Sequence, residues 1–490
     1  MSIDALLLLG SVLILLSLAI AKLSDNLGVP ALLLFLGVGM LAGSDGPGGI
    51  AFDDYGLARS IGTVALVFIL FSGGLSTRWS AVRPSLWNAV SLGTLGVLLT
   101  ALIVAAGATV LLDVPFTQAL LLGAVVSSTD AAAVFSILQS RQVSLKGNLR
   151  PLLELESGSN DPMAIFLTLG LIDVLTGAAG SWTEILLRFF YQMGFGAVIG
   201  LAMGRAMVHL LNRTNFSYEG FYPVFALAFA ALTYSMTAVI NGSGFLAVYL
   251  AGVIIGNGEI VQKRSLFRFF DGLAWLGQIG MFLTLGLLVY PSRLLYVAGT
   301  GLAVSALLMF VARPVSVFIA TMRSKMHWRE KMLVSWVGIR GAVPVILATF
   351  PLLAGIPQAE TMFNVVFFIV LTSALLQGWS ILAVARWLNV DAPMEKRTPS
   401  PLEFEAPKGA DTELMDFIVP YKSAVAGMPI VELGMPDDSL IALIIRNEKF
   451  LVPSGGTTLE PGDTVMVLVN TANVQRVREI FSAVKKEESQ

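Results

Sequence analysis

The stretch ELESGSNDPMAIF, residues 154–166, gathers three carboxylates, two serines, an amide and a proline in a chain that is otherwise apolar. Carboxylates flanked by hydroxyls bind both cations and protons, and the two compete for the same oxygens. Two other stretches place polar types in apolar surroundings. AVVSSTDAAAVF holds Ser127, Ser128, Thr129 and Asp130, and SWVGIRGAVPVILATF holds Arg340 between glycines with Pro344 four residues on. Ser157 and Asp161 are four apart and share one helix face. Asn160 and Glu156 each point away from that line. Asp161 with Ser157 therefore suits ligation of an ion, while Glu156 suits a different partner. A buried Arg340 needs a counter-charge, because a guanidinium keeps its proton; Glu156 is the first candidate and Glu154 the second. Asp130 can serve the ion or cap a half-helix.

These residues must be positioned by membrane-grade elements. Of the 490 residues, 56% are hydrophobic and only 13% charged, against about 25% charged in soluble domains. A net charge of −2 gives no case for nucleic-acid binding. The absence of cysteine excludes disulfides and thiolate chemistry, and two histidines, His209 and His327, do not make a metal cluster. With no His pair and no phosphate loop, an enzyme is not expected. The opening MSID lacks the basic start of a signal peptide, so residues 3–21 read as a retained helix.

Runs of about 17–25 apolar residues read as spans, here near 3–21, 29–44, 57–75, 86–112, 115–138, 153–177, 183–211, 221–240, 244–258, 271–290, 294–320, 331–353 and 361–388, roughly thirteen in all. The loops on one side hold Lys22, Arg78, Arg83, Arg141, Lys146, Arg150, Arg205, Arg213, Lys263, Arg264, Arg268, Arg323, Lys325, Arg329 and Lys331; those on the other hold Arg59 and Arg293. Positive residues stay inside, which predicts the N-terminus outside and the C-terminus in the cytoplasm. Polar breaks in the fifth and twelfth spans lie seven apart, an odd number, as inverted-topology halves with crossed discontinuous helices require. The expected fold is thus an all-α polytopic membrane protein over residues 1–390. A Pro-rich linker, 391–412, and a small α+β cytoplasmic domain, 413–490, come after it. In that domain MDFIVPY, SLIALIIRN, KFLVPSG and DTVMVLVN read as strands, and GMPIVELGM and ANVQRVREIFSAV as helices.

Together, Thr129-Asp130, the run Glu156-Ser157-Gly158-Ser159-Asn160-Asp161 and Gly338-Ile339-Arg340-Gly341 resemble the motifs of the monovalent cation:proton antiporters of NhaP type, relatives of the animal sodium/proton exchangers. The resemblance covers roughly residues 1–390. It implies a homodimer in the bacterial inner membrane with elevator-like alternating access. Asp161 is then the shared carboxylate of cation and proton, Ser157 and Thr129 ligate the monovalent cation, and Glu156–Arg340 is a structural ion pair. Asn160, where other members carry a second Asp, implies electroneutral exchange. The sequence departs from relatives that carry an acid in the third span, since Ser72 stands there. The C-terminal domain resembles the RCK C-terminal (TrkA-C) module, which implies regulation by a small cytoplasmic ligand or nucleotide and shifts the expected ion from Na⁺ to K⁺. The other class considered, a gated cation channel, calls for a TVGYG-like filter, and no such run occurs.

Overall fold

The computed structural model describes residues 3–27, 31–178, 181–214, 216–393, 412–420, 423–446 and 449–482. They fall into two compact units, Met1–Glu395 and Lys396–Gln490.

The first unit is helical: α1 Ile3–Leu27, α2 Ala31–Ala42, α3 Tyr55–Ser76, α4 Trp79–Leu112, α5 Phe116–Val125, α6 Ala131–Ser140, α7 Leu149–Leu175, α8 Trp182–Arg213, α9 Phe221–Val239, α10 Gly244–Asn257, α11 Lys263–Leu288, α12 Pro291–Ala320, α13 Trp328–Trp336, α14 Ala342–Leu353 and α15 Ala359–Trp387. With α5–α6 and α13–α14 each taken as one broken span, the described helices make thirteen spans. Seven are long and apolar enough to cross a membrane by themselves. The site-bearing α7 is not one of them, because its carboxylates lower its apolar character. Pro162 leaves α7 continuous; without a proline N–H, the carbonyl of Gly158 loses its helical partner.

Three features recur seven spans apart. The fourth and eleventh spans, α4 and α12, each contain a π-helical turn, at Leu92–Gly96 and Leu308–Ala312. The fifth and twelfth are broken. The sixth and thirteenth carry a polar pair four residues apart, Ser157 with Asp161 and Ser373 with Gln377. A recurrence displaced by an odd number of spans runs in the opposite sense through the bilayer.

Glycine sets how closely the helices approach. A Cβ at Gly252 would meet the Phe71 carbonyl oxygen of α3 at 2.5 Å, and one at Gly74 would overlap the carbonyl oxygen of Tyr249 in α10. Gly196 and Gly200 of α8 sit on Ser243 and Ala247, and Gly39 of α2 faces Gly286 of α11. Lipid offers helices no hydrophobic drive to associate, so such backbone contact supplies the packing. The helices α3, α8 and α10 therefore form a tightly knit scaffold, with α2 and α11 similarly joined.

Strand β1, Val143–Leu145, pairs antiparallel with β2, Asp391–Pro393. The expected linker thus opens with a strand: Lys146 donates its backbone N–H to the Val390 carbonyl at 2.9 Å, which holds this segment against the α6–α7 connection. Of the rest of that expected linker, residues 394–411 lie outside the described residues, and Thr412 already belongs to the first strand of the second unit.

The second unit is a four-stranded antiparallel sheet ordered β3-β6-β4-β5, with β3 Thr412–Ile418, β4 Ser439–Arg446, β5 Lys449–Leu451 and β6 Thr464–Asn470. Helix α16, Val474–Ser482, buries Val477 and Phe481 against Val465, Val467 and Val469. Asp463, 1% exposed, accepts from Arg446 at 2.8 Å, and this bond holds the Arg446 guanidinium above its ordinary pKa. GMPIVELGM is not the expected helix. It forms a short 3₁₀ turn, Ile430–Glu432, because Gly427 and Gly434, at φ +85° and +63°, turn the chain at either side and Pro429 donates no N–H.

Gly252→Val should force α3 and α10 apart and destabilise the membrane unit by about 1–3 kcal/mol. The check is the thermal unfolding midpoint in detergent; an unchanged midpoint would mean the two backbones are not in contact.

Candidate cation site

The residues singled out in the three polar stretches converge where the two broken spans meet. Helix α5 ends at Val125 and α6 begins at Ala131; Val126 and Ser127 still donate back to the Leu122 and Ala124 carbonyls, and beyond them the backbone leaves the helical pattern. Neighbouring polar side chains supply the partners there. Ser157 Oγ donates to the Thr129 carbonyl at 2.9 Å and accepts from the Ala131 N–H at 3.3 Å. Asn160 Oδ1 accepts from the Thr129 N–H at 3.4 Å, and its Nδ2 donates to Thr129 Oγ1 at 2.5 Å. Asp130 caps α6 through Ala133 N–H at 3.0 Å.

The second break, 337–341, is held in the same way by α15. Arg340 N–H donates to Ser373 Oγ at 3.1 Å, and Gln377 Nε2 donates to the Trp336 carbonyl at 2.8 Å. Breaks and helix ends are joined by Asp130 N–H to the Ile339 carbonyl at 2.8 Å, and by Arg340 Nη1 to the carbonyls of Ser127, at 2.7 Å, and Ser128, at 2.5 Å. Pro344 falls in the first turn of α14, where no helical N–H bond is lost. Both glycines of GIRG are required by contact: a Cβ at Gly338 would meet Arg313 Nε at 2.8 Å, and one at Gly341 would overlap the Asp130 carboxylate.

Charges match the exposed helix ends. The guanidinium of Arg340, 2% exposed, sits at the carbonyl end of α5. The Asp130 carboxylate lies at the amide ends of α6 and α14.

The expected Glu156–Arg340 pair is not what forms. Glu156 bonds Arg313 at 2.5 Å, with the two side chains 1% and 3% exposed. The π turn Leu308–Ala312 immediately precedes Arg313 and turns it to the core, while Arg340 is engaged with carbonyls. Arg313 was missed in the sequence; an arginine inside an apolar run was its signal.

Asp161, 7% exposed, accepts a hydrogen bond from Ser128 Oγ. With Ser128, Thr129, Asp130, Ser157 and Gly158 it lines a cleft of about 310 Å³, room for roughly ten waters at ~30 Å³ each. Asn160 does not line it, and stands behind Thr129 as a support. The cleft runs along α7 from Glu154 to Asp161, with no α7 residue beyond Asp161 in its wall. Its mouth includes Ser76, Gln139, Glu154 and Asp271, at the end of the bundle that carries Arg78 and Arg150. Ser72 lines the cleft, as does Asp271 of α11, so an acid reaches it from the tenth span. Ser128 and Asp271 were not singled out as site residues; Asp271, Ala274, Trp275 and Gln278 form one helical stripe, which was the legible sign.

A cleft ending at one buried carboxylate between two helix breaks defines a membrane carrier for a small cation. Residues 12–387 match the transmembrane sodium/hydrogen exchanger model, and residues 414–482 the TrkA-C domain. The chain belongs to the sodium/hydrogen exchanger family. It is 41% identical to the K(+)/H(+) antiporter NhaP2 of Shewanella oneidensis over 98% of this chain and 84% of that one. It is 40% identical to the K(+)/H(+) antiporter NhaP of Alkalimonas amylolytica over the same shares. The sodium proton antiporter MjNhaP1 of Methanocaldococcus jannaschii shares the fold, with a TM-score of 0.70 at 24% identity over 79% of this chain and 100% of that one.

Glu156→Gln should cost about 3–5 kcal/mol by leaving a buried arginine unpaired, read as a lower unfolding temperature. Adding Arg313→Met should restore most of that loss. Rescue by Arg340→Met in its place would refute the pairing.

Proposed function

We propose that the protein is a secondary antiporter that exchanges K⁺ for H⁺ at Asp161. The observation that carries this reading is a balance of buried charge. Glu156 is matched by Arg313, and Arg340 and Asp130 lie at opposite helix ends of the same crossing. Among the described residues, Asp161 receives only a hydroxyl, from Ser128. Its charge can be neutralised by a proton or by a cation entering the cleft, and not by both. A bundle that moves the site across a low-dielectric barrier does so cheaply only when that carboxylate is neutral. One carboxylate then carries one K⁺ one way and one H⁺ the other, which is electroneutral exchange. Ser128, Ser157 and Thr129 supply the oxygens around the cation. Asn160 takes no charge and fixes Thr129, and Asp130 acts on the ion through the field rather than by contact.

Potassium as the substrate is supported by the names of the relatives that match nearly the whole chain and by the TrkA-C match. A Na⁺/H⁺ exchanger is the nearest alternative. A channel is disfavoured because the sequence holds no TVGYG-like filter. The distribution of basic residues among the loops supports an N-terminus outside and a C-terminal unit in the cytoplasm, with the whole in the bacterial inner membrane. Assembly as a homodimer, and control by a small ligand or nucleotide on the C-terminal unit, complete the reading on the strength of the family resemblance.

Proton flux in everted vesicles, with K⁺ and Na⁺ added separately, tests it. Wild type should dissipate the gradient with K⁺ and Asp161→Asn should be silent; exchange surviving in that variant would sink the model. Competition also fixes a sign. As pH falls, protons occupy Asp161 more often, so the apparent KM for K⁺ should rise, and a KM that falls on acidification would contradict a shared site.

A further inference from the structure

The scaffold meets α7 at one conspicuous place. Tyr249 of α10, 2% exposed, is fixed to α3 at both ends: its carbonyl oxygen packs on Gly74, and its hydroxyl is 3.3 Å from Thr77 Oγ1, which itself donates to the Gly73 carbonyl at 2.8 Å. Thr77 is held further by Asn257, whose Nδ2 donates to its carbonyl at 2.8 Å. The ring that results is a strut with little freedom, and its face lies on Gly158. A Cβ at 158 would overlap ring atoms Cε2 and Cζ and stand 2.7 Å from the hydroxyl oxygen.

Gly158 is three residues from Asp161 on the mouth side, about 4.5 Å along the helix, and Gly158, Tyr249 and Asp161 all line the cleft. The ring therefore stands at the neck between the ion-binding carboxylate and the mouth. Gly39, Gly74, Gly200 and Gly252 bring backbone against backbone, whereas Gly158 admits an aromatic ring from the scaffold onto the helix that carries Asp161. Backbone contacts of that kind lock two helices in register; a flat ring against a helix face without a side chain permits them to slip.

We propose that Tyr249 is the fixed bearing against which α7 carries Asp161 from one side to the other, with Gly158 as the face that must stay bare. Tyr249 is a positioning residue in this role and does not ligate the ion. The inference rests on Asp161 being the exchange site, and it adds where the moving part and the stationary part touch.

The test is K⁺/H⁺ exchange by the full chain in proteoliposomes, with Gly158→Ala, Tyr249→Phe and the double variant Gly158→Ala/Tyr249→Ala compared at equal protein level. Gly158→Ala should lower the maximal rate about tenfold or more, while the apparent KM for K⁺ stays within about twofold, because transit and not binding is obstructed. Tyr249→Phe keeps the ring but loses its tie to Thr77, so its maximal rate should fall between those of wild type and Gly158→Ala, and a rate as low as that of Gly158→Ala would show that the hydroxyl and not the ring face matters. The double variant should regain at least about fivefold over Gly158→Ala, the coupling expected of two groups in contact. Wild-type rates in Gly158→Ala overturn the proposal. So does a double variant whose maximal rate stays at that of Gly158→Ala. If those results come with an active wild type, the bearing alone is wrong; a wild type silent with both K⁺ and Na⁺ removes the exchanger reading as well.

Discussion

Two helix breaks cross inside the membrane unit, and every backbone donor and acceptor freed there must find a partner away from water. Unsatisfied polar groups in a hydrocarbon setting cost several kcal/mol each, so the crossing constrains everything near it. It explains why Ser157 and Asn160 sit on α7, why Ser373 and Gln377 sit on α15, and why the guanidinium of Arg340 points at the carbonyls of Ser127 and Ser128. It also explains the two glycines beside Arg340, each of which leaves room for another residue of the same network. Asp161 is the member of this assembly that, among the described residues, meets a hydroxyl and no cation of the protein.

The π turns serve the same end. Each inserts a residue into a long helix and so rotates the remainder of that helix about its axis. In α12 that places Arg313 on Glu156. In α4 it brings Gly93 against Ser159 of α7, so closely that a Cβ at 93 would overlap the hydroxyl. The helix that carries the site is thereby gripped on its far side by local irregularities and faced on the other by the glycine-packed scaffold.

Much of this was legible in the sequence. Span positions followed from apolar length, and the polar breaks followed from Ser-Ser-Thr-Asp and Gly-Ile-Arg-Gly in oily surroundings. The four-residue spacing of Ser157 and Asp161 put both on one wall of the cleft. The partner of Glu156 was not legible, because pairing at depth depends on helix rotation, and a π turn changes that rotation without any marker in residue type. Asp271 escaped notice because it opens the apolar run after aromatic and basic residues, where a carboxylate reads as solvated, whereas α11 begins eight residues earlier, at Lys263. In the second unit the strands were readable, whereas the Met-Pro-Ile-Val-Glu segment satisfied a helical pattern that its flanking glycines override.

The small β1–β2 ladder has a mechanical meaning. The chain that leads away to the C-terminal unit departs from β2, and β2 is stitched to the connection between α6 and α7. One of those helices begins at the capped break and the other carries Asp161. The last described residues of the first unit are therefore fastened to the two helices that bound the cleft, and not to the glycine-packed scaffold.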